Sequence, residues 1–399
     1  MSASPSPAAI KPTRLSSIDA YRGLVMFLML AEVMRVCSVS GALPGSEFWG
    51  LLCYHQSHVE WVGCSLHDLI QPSFSFLVGV ALPFSIASRA AYGSSFGRMF
   101  GHAVWRALLL IFLGIFLRSI GRSQTYFTFE DTLTQIGLGY VFLFLLGFRS
   151  GRVQWAALAF ILVGYWLAFA LYPLPGPDFD WSKAGVAADW SHHANGFAAH
   201  WNKNTNLAWA FDNWWMNLFP RETAFQYNGG GYATLSFIPT LGTMILGLIA
   251  GTWLKADLKP ATRTKRFVIA GVIGLAAGWL LDVLGICPNV KRIWTPSWVL
   301  FSGGWCFLFL AFFHWIMDLK GWKRWAFPLT VIGMNSIFAY CSEWLFVGFL
   351  RGALNTHLGA DFFNLFGEPY VRFFQGASVV LIIWLMLLWL YRKRVFIKI

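Results

Sequence analysis

Apolar stretches of about twenty residues recur from one end of this chain to the other, separated by short polar or basic segments. Roughly twenty residues of helix cross the hydrocarbon core of a bilayer, and within lipid only helices or closed barrels satisfy every backbone polar group. The 399 residues are 57% apolar and 12% charged, far from the roughly 45–50% and about 25% of soluble domains. A water-soluble globular fold is excluded, and no long polar segment offers a linker. The expected fold is all-α: one polytopic membrane helix bundle over residues 15–399, preceded by a short tail at 1–14.

Ten spans can be drawn, at 18–38, 66–88, 103–120, 133–148, 154–172, 233–254, 267–284, 297–317, 326–348 and 373–391. Residues 41–65 carry enough Trp, Leu and Phe for an interfacial or re-entrant segment, an eleventh element. Sorting Lys and Arg by alternate loops puts 18 on the side of both termini and 8 on the other. Cytoplasmic loops hold such an excess, so both termini are expected in the cytoplasm. The net charge of +12 is then a matter of topology; the basic residues form no stripe for nucleic acid. The tail has no small-residue cleavage site before a lone apolar core, so no cleaved signal peptide is expected. Six cysteines without CxxC spacing, most in or beside apolar segments, predict reduced structural thiols.

The longest loop, 173–232, is expected to be extracytoplasmic. It carries Trp181, Trp190, Trp201, Trp209, Trp214 and Trp215 among Asn, His and Gly. Two readings stand: a belt of interfacial tryptophans, or aromatic faces for stacking on a sugar.

Ionisable groups within spans are costly and mark functional sites or internal ion pairs. The first span has Asp19 with Arg22, then Glu32 with Arg35, each at i,i+3 spacing. Beyond it lies CYHQSHVEWVGCSLHDLIQPSFSF, which places His55, His58 and His67 near Glu60 and Asp68. Their spacing matches no common zinc arrangement and HExxH is absent, so no metal is expected. The rival chemistry is general base catalysis: a neutral imidazole takes the proton of an attacking hydroxyl or amine, and a carboxylate on its other nitrogen fixes the tautomer. Asp68 is the candidate carboxylate, and Glu32 a further catalytic candidate. No P-loop, GxSxG elbow or Rossmann fingerprint occurs.

The segments RLSSIDAYRGLVMFLML, HVEWVGCSLHDLIQPSFSFLVGVALPFS, GGGYATLSFIPTLGTMILGLIAG, KRIWTPSWVL, MDLKGW, GMNSIFAY and YRKRVFIKI resemble, in this order, the heparan-alpha-glucosaminide N-acetyltransferase family and its short bacterial relatives. The resemblance implies a transmembrane acyltransferase that takes acetyl-CoA from the cytoplasmic face and acetylates an amino sugar or glycan on the far side. It implies a homodimer, and the expected location is a bacterial inner membrane. The family's active-site histidine lies in an H-x-x-W-x-G setting before the second span. His58 matches that position, and Asp68 the aspartate of the DLIxP run. Two positions depart from the animal pattern: Glu32 replaces an asparagine, and Gln135 an arginine.

Arg22 and Arg106 are candidates for the donor's phosphates, and Asn335 and Ser336 for its pantetheine amides, although small polar residues in spans also join helices. Candidates on the acceptor side are Glu60, Trp61, Gln135, Lys291 and Trp294. His58 would act as general base or as a nucleophile forming acetyl-imidazole. The alternative function is a secondary transporter, or an exporter of a sugar or acylated glycan. No internal repeat relates 18–172 to 233–391.

Overall fold

The computed structural model describes residues 15–397; the expected tail at 1–14 lies outside them. The described chain is helical, and its one isolated β-bridge joins Val62 to Val290. Among the described residues, seven helices are long and apolar enough to cross a membrane, or up to nine if each of two bent pairs is one span. The expected fourth span is a helix of only 15 residues, Thr132–Leu146. The expected ninth is three helices, Phe327–Met334, Ser336–Leu345 and Val347–Leu358. It breaks at Asn335, whose backbone leaves the helical region and whose amide bonds the backbone of Val395 and Ile397. A second break, with a 60° bend, comes at Phe346. Residues 41–65 contribute one short helix, Glu47–His55.

The first span bends by 43° where Arg35 takes a left-handed backbone conformation (φ 54°) between Ala31–Met34 and Val36–Ala42. Just beyond the bend, a disulfide joins Cys37 to Cys53. These two cysteines are therefore not the reduced thiols the sequence suggested, because the bend brings Val36–Ala42 beside Glu47–His55. Cys64, Cys287, Cys306 and Cys341 are free.

The Phe237–Lys255 helix is the axis of the bundle, with Thr240 to Gly251 buried without interruption. It can be central because small residues let backbones meet, the device that brings helices together in lipid. A β-carbon on Gly247 or Gly251 would overlap the carbonyl of Phe76 or Val80 in the Ile70–Ala91 helix. Gly23 and Gly333 make the equivalent approach between Ser16–Leu30 and Phe327–Met334.

The loop 173–232 folds as a cap rather than a tether. Trp201 is wholly buried in a cluster with Trp61, Phe169, Cys287, Val290 and Ile293. Trp209 donates its indole N–H to the Gln226 carbonyl, while Trp214 is exposed.

Candidate active site

His58 reaches its position through a loop organised by one carboxylate. Asp68 sits in a 3-10 turn, His67–Leu69, at the head of the Ile70–Ala91 helix, and is 1% exposed. Its Oδ2 accepts the backbone N–H of Ser65 at 3.0 Å, the Ser65 hydroxyl at 3.0 Å and the backbone N–H of Val59 at 3.2 Å. Its Oδ1 lies 2.8 Å from His58 Nδ1 and 3.3 Å from Lys291 Nζ. A buried carboxylate requires such compensation.

The H-x-x-W-x-G pattern acquires a physical meaning here. Trp61 is 1% exposed, is packed under the cap and donates its indole N–H to the Trp201 carbonyl at 3.1 Å. Gly63 has φ 125°, a conformation side chains rarely allow, and its N–H donates to the Asn289 carbonyl. This joins the loop to the segment bearing Lys291. Arg292 completes the clasp by donating to the carbonyls of Gly230 at 2.8 Å and Val59 at 3.0 Å.

The 2.8 Å approach of His58 Nδ1 to a carboxylate oxygen requires the proton on Nδ1. Lys291 Nζ, 3.0 Å from the same nitrogen, then shares Oδ1 with it, and Nε2 is left with its lone pair. Burial holds the basicity of His58 below the ordinary imidazole range; the Asp68 hydrogen bond opposes this, and Lys291 and Arg292 reinforce it. Near neutral pH the ring is thus an uncharged base with a carboxylate ready to stabilise its protonated form.

His58 faces a cavity of about 500 Å³, lined among others by Glu32, His67, Arg118, Glu130, Asp131, Asn228, Tyr232, Lys291, Tyr340 and Glu343. The His67 ring packs against His58 at a tilt of 53° with ring centres 4.4 Å apart, and its Nε2 lies 3.7 Å from Glu32. On the far wall, Asp131 accepts from Tyr340 at 2.7 Å and Arg118 at 3.4 Å, and caps the Thr132–Leu146 helix through the Leu133 N–H. This wall is absent from the sequence reading. The signal for it in the sequence is Arg118 and Glu343, two ionisable residues inside apolar segments.

The structure gathers His58, Asp68, Glu32 and Lys291, and places the remaining candidates elsewhere. Trp61 and Trp294 are buried away from the cavity; Trp294 donates to the Thr243 hydroxyl. Glu60 is exposed and pairs with His192 at 3.1 Å. Gln135 is buried and donates to the carbonyls of Phe129 and Thr234. Arg22 pairs with Asp19 at 3.2 Å. Arg106 bonds the Tyr140 hydroxyl and borders a crevice with Arg89 and His102. Asn335 is occupied by the C-terminal segment, and Ser336 opens the helix that follows it. None of the six cap tryptophans lines the cavity. Among the described residues, no group of three or more His, Cys, Asp and Glu is arranged to hold a metal ion; His55 accepts the Leu66 N–H instead.

These features define an integral membrane protein with a polar cavity faced by His58, which is held by the buried pair of Asp68 and Lys291. The chain is similar to human heparan-alpha-glucosaminide N-acetyltransferase, with 23% identity covering 97% of this chain and 60% of that protein. Its similarity to the mouse protein of the same name is 25%, over 82% of this chain and 53% of that one. The chain thus spans little more than half the length of these relatives. A family model described as "Domain of unknown function (DUF5009)" matches residues 14–186.

Proposed function

We propose that this protein transfers an acetyl group from cytoplasmic acetyl-CoA to the amine of an amino sugar or glycan on the opposite side of the membrane. The observation that carries this reading is the hydrogen bond from His58 Nδ1 to buried Asp68, which frees Nε2 toward the cavity. The similarity to acetyltransferases over 97% of the chain supports it. Carboxylates at Glu32, Glu130 and Glu343 in the cavity wall suit a ligand that arrives as an ammonium ion.

In the reaction, the ammonium first gives up one proton to water, and His58 Nε2 takes a second from the resulting amine as its nitrogen attacks the thioester carbonyl. The new N–C bond forms, the C–S bond breaks, and the imidazolium returns the proton to the departing thiolate. Asp68 stabilises the imidazolium, and Lys291 sets its basicity. Arg106 remains the candidate for a donor phosphate. A donor contact at Asn335 requires the Val395–Ile397 segment to move, since both ends of that amide are engaged.

Two features support the sidedness. Basic residues favour the side of the termini by 18 to 8. The Cys37–Cys53 disulfide stands in the same outer region of the chain as His58, and disulfides persist in oxidising compartments.

The test is acetyl transfer by purified protein in nanodiscs. His58→Ala should remain folded and bind acetyl-CoA while transferring at least about 10²-fold more slowly, the share of a positioned general base. Protein given radiolabelled acetyl-CoA without acceptor should acquire no label at His58 if transfer is direct; label there establishes an acetyl-imidazole. Full activity in His58→Ala, or no transfer by the unmodified protein, overturns the proposal and leaves transport as the leading account.

A further inference from the structure

The catalytic cavity continues away from His58. Glu32, Glu343 and Trp344 line both it and a second cavity of about 220 Å³, whose other walls include Arg35 and Arg351. Those two arginines also line a third, of about 270 Å³, completed by Arg372 and Gln375. The three cavities share walls in sequence, and the character of the lining changes along them. Carboxylates outnumber Arg118 and Lys291 in the cavity near His58, Glu32 and Glu343 share the second with Arg35 and Arg351, and the lining of the third is three arginines and Gln375.

Glu32 shares the second cavity with Arg35 and Arg351 and is the carboxylate that Arg35 acts on, while Arg35 and Arg372 are exposed to solvent. No carboxylate lies within 4 Å of Arg35, Arg351 or Arg372 in an ion pair among the described residues. Arg351 spends one N–H on the Val33 carbonyl. Arg372 occupies the first turn of the Val371–Arg392 helix, where the helix dipole disfavours a cation. Arg35 holds a left-handed conformation that costs a non-glycine residue energy. Mutual repulsion, an adverse dipole and backbone strain at one place are the marks of a site whose stability is spent on binding. Three planar forks around a cavity match the oxygens of a phosphate-type oxyanion.

We propose that Arg35, Arg351 and Arg372 form a phosphate-binding subsite connected to the acceptor cavity. Its ligand is a phosphate group, carried either on the amino-sugar acceptor or on the head of a membrane lipid. An acceptor with an ammonium near Glu32 and a phosphate near Arg372 complements the charge gradient along the cavities. That identification of the acceptor rests on the acetyl-transfer reading; phosphate binding itself does not.

The test is equilibrium binding of inorganic pyrophosphate to the full chain in phosphatidylcholine nanodiscs, without acetyl-CoA. The unmodified protein should bind saturably. The double variant Arg35→Gln, Arg372→Gln should bind at least about tenfold more weakly, the loss expected on removing charge-assisted hydrogen bonds. Arg35→Lys with Arg372→Lys should fall between, keeping the charge without the fork, and carries the comparison if the glutamine variant does not fold. Displacement of pyrophosphate by glucosamine 6-phosphate but not by glucosamine assigns the phosphate to the acceptor. Displacement only when phosphatidylglycerol is added to the nanodisc assigns it to a lipid. Equal binding by the unmodified protein and both variants, or none by any of them, overturns the subsite whether or not the protein transfers acetyl groups.

Discussion

Lys291 lies 3.3 Å from Asp68 Oδ1 and 3.0 Å from His58 Nδ1, although 223 and 233 residues separate it from them in the chain. Its ammonium shares the carboxylate oxygen that receives the histidine proton, so it compensates Asp68 and disfavours protonation of His58 at once.

Replacing Lys291 should therefore move the pH dependence in one direction. Activity needs the neutral imidazole and falls on the acid side as His58 is protonated. Lys291→Met removes a cation that lowers the histidine's basicity, so the acid limb of kcat/KM should move to higher pH. Lys291→Arg should leave it closer to its original place. A limb that does not move in Lys291→Met would show that the lysine does not tune His58.

Arg292 ties the His58 loop to the 228–232 segment by two hydrogen bonds to carbonyls. Arg292→Ala should destabilise the protein by about 2 kcal/mol, near the value of bonds from a charged donor. Faster amide exchange should be confined to residues 58–63 and 228–232. Unchanged exchange there would mean the clasp holds without it.

Asp212 lies in the cap, buried, with Oδ2 accepting the Thr234 N–H and Oδ1 without a partner. Burial pushes its carboxyl up to about 7 from 3.8. The folded protein thus keeps a proton that the unfolded chain releases. The associated stability is complete below pH 3.8 and is lost as pH rises through about 7. Asp212→Asn keeps an acceptor for Thr234 and has no proton to lose. Its thermal midpoint should gain on that of the unmodified protein between pH 5 and 8, measured by light scattering or tryptophan fluorescence. Parallel curves would refute the assignment.

Sidedness can be read by labelling. With the four free cysteines replaced and the Cys37–Cys53 disulfide kept, a cysteine at Ser191 should react with an impermeant maleimide in intact cells. One at Thr262 should react only after permeabilisation. Both positions are exposed, so the reverse pattern would overturn the topology.

The sequence alone determined that the chain is a helical membrane protein, because hydropathy over twenty residues is a local property that water and lipid read without reference to the rest of the fold. It also singled out His58 in the loop before the second span and Asp68, ten residues on, at the start of that span, where a histidine and a carboxylate together point to chemistry. What Trp61 and Gly63 do in that loop was beyond its reach: one is buried under a cap built from residues far along the chain, and the other turns to meet Asn289. The same holds for the far wall of Arg118, Asp131 and Tyr340, and for the disulfide created by a bend at Arg35. Only the tertiary structure decided these. Their partners meet through close helix packing at glycines and through loops folding over one another, and such contacts depend on shape complementarity between distant segments rather than on any pattern within one of them.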